Sequence, residues 1–217
     1  VGGRIVPAFL AARAEDRQPR RRMPWDDRLA DAALALALTL HLAGAGEKAA
    51  GALLIAAAFG QAARMRRWDM APLLHGHRDL ALLLCAWLWL PLGLGLVGAG
   101  LMGLRWLPTA TAVHALTMGL MGSMILAVMA RGWMRREPGR LLVGRPTAVA
   151  FALLQLAAVF RLGGGDAGLA AIAWHCAWLL AATQGAVSLF RPVPHPILSA
   201  ARRTEGRNQP PAVTTGD

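Results

Sequence analysis

Six side chains in this 217-residue chain have the types and spacing for ligand or cofactor chemistry: His41, His114, His175, Met118, Met121 and Arg161. Met118 and Met121 follow His114 at i+4 and i+7, which puts the three on one face of an α-helix. Imidazole suits haem iron and copper, and thioether suits copper(I). The same methionine stripe also reads as packing, because Met fills irregular gaps between helices. His41, His114 and His175 each lie inside an apolar run. With a helical rise of ~1.5 Å per residue, they fall ~6, ~6 and ~12 Å from the same ends of their spans. Two readings stand for the histidines: ligands of a shared metal or haem, or three separate interhelical hydrogen bonds. Arg161 closes another apolar run, next to Asp166. It can pair with that aspartate, meet an anionic group such as a haem propionate, or sit as a plain interfacial arginine.

The elements that must position these residues are membrane spans. Apolar residues make up 56% of the chain and charged residues only 16%, and the charge is confined to short clusters between long apolar runs. This composition predicts an all-α membrane protein rather than a soluble domain. The spans read Leu29–Ala45, Ala49–Ala63, Leu80–Leu104 with Pro91 inside, Ala110–Ala130, Pro146–Leu162 and Ala167–Phe190, a bundle of six transmembrane helices. The arginine clusters fall on alternate connections: the N-terminal segment, Arg64/Arg66/Arg67/Arg78, Arg131/Arg135/Arg136/Arg140/Arg145, and Arg191/Arg202/Arg203/Arg207. The positive-inside rule therefore predicts both termini in the cytoplasm, with Arg131 snorkelling at its boundary. Topology accounts for the net charge of +11, so no nucleic-acid partner is expected. Residues 1–28 read as a basic cytoplasmic juxtamembrane segment, 29–190 as the transmembrane domain, and 191–217 as a disordered tail.

The remaining motifs carry less. Gly93, Gly95 and Gly98 fit GxGxxG but follow no strand, so they read as sites of close helix approach, not nucleotide binding. His75 and His77 form an HxH pair in a basic loop without an accompanying ligand cluster, and His195 lies in a Pro-rich tail. Cys85 and Cys176 lack a CxxC partner and read as reduced, buried thiols. No P-loop, paired carboxylates or Ser/His/Asp grouping supports nucleotide-driven or hydrolytic chemistry.

Four stretches together resemble the NnrS family of bacterial membrane proteins. The most specific is His114-Ala115-Leu116-Thr117-Met118-Gly119, continuing to Met124-Ile125-Leu126-Ala127-Val128-Met129-Ala130-Arg131. Gly2-Gly3-Arg4-Ile5-Val6-Pro7-Ala8-Phe9 is similar to the family's Gly-Arg-(Val/Ile)-Ile-Pro-Phe-Phe segment. Trp89-Leu90-Pro91-Leu92-Gly93 is similar to its Trp-Leu-Pro-Leu-Gly segment, and Gly139-Arg140-Leu141 to its Gly-Arg-Pro-Leu. The resemblance covers roughly residues 1–190 and departs at two places. A family histidine before Gly-Arg-Pro-Leu is replaced by Arg135-Arg136-Glu137-Pro138, and one before Trp-Leu-Pro by apolar residues around Leu84.

The resemblance implies a haem- and copper-linked role in nitric oxide metabolism or nitrosative stress resistance, in the bacterial inner membrane. His114 is the first ligand candidate, and nitric oxide the small gas ligand. It covers only the family's C-terminal half, so the expected partners are the lipid bilayer and a missing N-terminal half of the same protein. Two alternatives stay open. A secondary transporter or channel would use Arg161, Gln155 and His175 as a polar path, and a non-catalytic scaffold would use the histidines only as hydrogen bonds.

Overall fold

The computed structural model describes residues 6, 8–9, 25–66, 68, 76–104, 108–137 and 140–190. They form helices α1 (Trp25–Leu42), α2 (Glu47–Met65), α3 (Arg78–Leu101), α4 (Thr109–Ala130), α5 (Arg145–Leu162) and α6 (Ala167–Phe190). Between α4 and α5 a short antiparallel hairpin pairs β1 (Arg135–Glu137) with β2 (Arg140–Leu142). Each helix packs on the next in sequence, with α3 and α4 in the middle of the row. Left-handed glycines turn the chain tightly between α1 and α2 (Gly46, φ 70°) and between α5 and α6 (Gly164, φ 69°).

Each expected span has a helix in its place. Among the described residues α3, α4, α5 and α6 are long and apolar enough to cross a membrane. The first two are less apolar. Asp26, Asp27, Arg28 and Asp31 fall in the opening turns of α1, and α2 is alanine-rich with Gln61 and Arg64 towards its end.

Large apolar side chains are on the outside as well as the inside. Leu38, Phe59, Leu179 and Val187 are exposed, whereas Leu83, Leu126 and Leu154 are fully buried. A helix that is apolar all round is suited to lipid on one side and helices on the other. Cys85 and Cys176 are free as expected, but they are exposed on that outer surface rather than buried, because a position in an apolar run can face outward as readily as inward.

Small residues set the close helix crossings. A Cβ added to Gly51 on α2 would come within 2.7 Å of the Gly98 carbonyl on α3, and one added to Gly98 would meet the Gly51 carbonyl at 2.7 Å. The two backbones are therefore in contact, as the glycine-rich stretch predicted. Pro91 lies within a continuous α3.

Charged groups gather at the end where α3 begins and α4 ends. Arg131 Nη1 donates to Asp79 Oδ2 at 2.7 Å, with Asp79 buried. The Phe9 ring lies 4.1 Å from the guanidinium, and Val6 is buried against Leu80 and Leu83 in the same core. Snorkelling is thus not the role of Arg131: a carboxylate on the facing helix turns the side chain inward. Arg64 on α2 makes a comparable link to α1, 3.1 Å from Asp27 and 3.2 Å from Asp31, and Gln61 Nε2 donates to Asp31 at 2.9 Å. His75, His195, Arg105, Trp106 and the 191–217 tail lie outside the described residues, as does most of the 1–28 segment.

Candidate functional site between α4 and α5

The seam between α4 and α5 holds the polar side chains that the apolar runs conceal. At one end His114, in the first turns of α4, meets Arg161 in the last turn of α5. Arg161 Nε donates to His114 Nε2 at 3.3 Å, and His114 Nδ1 lies 3.0 Å from the Ala110 carbonyl and 3.2 Å from that of Thr111. These contacts assign the neutral tautomer with the proton on Nδ1, donating to the backbone, and the lone pair on Nε2, accepting from Arg161. Both side chains are half-buried. Asp166, the alternative partner for Arg161, instead accepts from the Gly168 backbone N–H at 2.6 Å and closes the first turn of α6.

Deeper in the same seam, Gln155 on α5 bridges three helices. Its Oε1 accepts from Trp89 Nε1 of α3 at 2.6 Å, and its Nε2 donates to Ser123 Oγ of α4 at 2.5 Å. Ser123 and Trp89 are buried and Gln155 is half-buried, so water competes weakly for these bonds. Trp89 fits because Gly119 has no side chain: a Cβ there would overlap the indole. At the opposite end Thr147, at the start of α5, accepts from Trp133 Nε1 at 3.2 Å and donates to Gln184 Oε1 of α6 at 2.7 Å. All three groups place a polar residue of α5 against neighbouring elements.

The stretch Ala115–Gly122 of α4 is π-helical, flanked by α-helix on both sides. Its i→i+5 bonding widens the turn, so spacings of four and seven residues no longer mark one face. Met118 packs half-buried beside Trp89 and Ala158, whereas Met121 is 56% exposed. The His114–Met118–Met121 face predicted from α-helical period is therefore divided between the interior and the surface.

The three histidines are also placed differently. His41 is exposed in the last turn of α1, and His175 is exposed on α6, with Nδ1 2.7 Å from the carbonyl of Ala171 in its own helix. Only His114 faces another helix through its ring. Among the described residues no three His, Cys, Asp or Glu side chains gather to hold a metal ion. The described residues thus do not assemble the donor set of a closed metal centre, and the lone pair of His114 Nε2 lies on a guanidinium. Leu84 is buried in the core with Leu83 and Trp87.

Three of these relationships escape sequence reading. The Asp79–Arg131 pair, the Gln155 bridge and the His114–Arg161 contact each join residues 32 to 66 positions apart. A polar residue within an apolar span is the signal for each, but that signal does not name the partner.

A family model described as NnrS protein matches residues 1–193 of the chain. No curated protein matches, and no solved structure matches.

Proposed function

This chain belongs to the NnrS family, and from that membership we propose a haem- or copper-linked role in nitric oxide metabolism or nitrosative stress resistance. The match over residues 1–193 is the observation that carries this reading. The protein acts in the bacterial inner membrane as six spans, with both termini in the cytoplasm. The basic residues described at one end of the bundle, Arg64, Arg131, Arg135, Arg136 and Arg145, support that orientation.

In this reading His114 is the donor the chain offers first, through Nε2. His41, His175, Met118, Met121 and the cationic Arg161 are the further groups proposed for ligation and cofactor anchoring. A complete coordination sphere needs donors beyond His114. A bound haem or copper supplies affinity for an uncharged diatomic gas. The protein's part is to exclude water with its apolar helices, admit a gas that needs no polar path, and fix the orientation of one imidazole through the Nδ1–H bond to the Ala110 carbonyl.

The test is growth under a nitric oxide donor, comparing cells that lack the protein, cells that express it, and cells that express His114→Ala at equal membrane abundance. Protection by the native chain that is lost in the variant supports the reading. Identical growth in all three refutes it.

A further inference from the structure

Arg161 is the unusual charge of the seam. Its guanidinium is half-buried, its Nε is committed to His114, and no carboxylate among the described residues lies within ion-pair distance. The nearby Asp166 is held by the Gly168 N–H. An arginine does not shed its proton, and a cation at the edge of an apolar bundle is costly without a counter-charge.

The geometry of the His114 contact decides what remains available. A guanidinium grips an oxyanion either side-on through Nε and one Nη, or end-on through both Nη groups. With Nε given to His114 Nε2, the side-on grip is closed and the end-on pair is left, two parallel N–H groups spaced for two oxygens of one ligand. The His114 ring is itself fixed by the bond from Nδ1 to the Ala110 carbonyl. The α4 backbone therefore orients the imidazole, and the imidazole orients the guanidinium.

We propose that Arg161, oriented by His114, is the receptor for one oxyanion, a phosphate or carboxylate group, at the end of the bundle where α4 begins and α5 ends. His114 is a positioning residue in this receptor. The inference concerns the metal-free chain and does not rest on the nitric oxide reading. The oxyanion has two possible sources, a free solute or the phosphate of a lipid headgroup.

The experiment uses the full chain, purified metal-free in a neutral detergent, with thermal unfolding followed at constant ionic strength balanced by chloride. One arm titrates inorganic phosphate and the other phosphatidylglycerol against phosphatidylcholine. A saturable rise in Tm with phosphate supports a free oxyanion, and a rise confined to phosphatidylglycerol supports a lipid headgroup. The rise should vanish in Arg161→Gln and weaken in Arg161→Lys, which keeps the charge but not the fork. His114→Ala should weaken the apparent affinity by about tenfold, the scale of one charge-assisted hydrogen bond. His114→Gln returns an acceptor at the same place and should recover most of the affinity, which a residue needed only for packing would not. Absence of any rise in both arms, or an equal rise in Arg161→Gln, overturns the receptor. An unchanged affinity in His114→Ala overturns the positioning role.

Discussion

His114 Nε2 accepts a hydrogen bond from Arg161 Nε at 3.3 Å, so the lone pair that would face a metal ion already has a partner. One imidazole nitrogen cannot serve both at once. The pair therefore links the two kinds of chemistry open to this seam, because a metal ion at Nε2 must first displace the guanidinium.

That competition has a measurable consequence. Arg161→Gln removes the guanidinium and should raise the affinity of the chain for copper(I) by about tenfold, the worth of the charge-assisted bond it no longer has to break. Competition against a colorimetric copper(I) chelator measures it. Equal affinities in the two proteins would show that Nε2 is not the atom that binds.

Asp79 and Arg131 form a buried pair, and removing the carboxylate takes away the guanidinium's counter-charge on the facing helix. Asp79→Ala should destabilise the bundle by about 3–5 kcal/mol, whereas the double replacement Asp79→Leu with Arg131→Met should recover most of that loss. Reversible unfolding in mixed micelles reads both values. A double variant as unstable as the single one would contradict the assignment.

Close packing makes a sharper contrast between two glycines. Gly119→Val would drive a branched side chain into the Trp89 indole, so it should disrupt the contact between α3 and α4 and lower Tm strongly. Gly95→Ala places its methyl 3.9 Å from the Ala58 Cβ, an ordinary contact, and should be tolerated or mildly stabilising. Similar losses for both variants would argue against the crossing described.

The helices were legible because a long apolar run between arginine clusters leaves the chain little choice but a helix. Their ends moved by only a few residues: α1 starts at Trp25 rather than Leu29, since the polar opening turns still satisfy the backbone. Which face points inward was not legible. Residues such as Cys85 and Met121 sit in helices apolar on every side, so periodicity cannot separate core from exterior. The π-helical stretch was equally hidden, because Ala115–Gly122 reads locally as ordinary helix, and it is this stretch that parts Met121 from Met118. The candidate site was half legible. His114 and Arg161 were both singled out by residue type, but their contact joins positions 47 residues apart and needed the fold.

The central claim, that this NnrS-family chain carries a haem or copper through His114, is tested most directly by purifying the protein from its host membrane. The visible spectrum and metal content would then be recorded for the native chain and for His114→Ala. A Soret band or stoichiometric copper in the native protein that is lost in the variant is the predicted result. A native protein with neither, or a variant that retains the same cofactor in full, would contradict it.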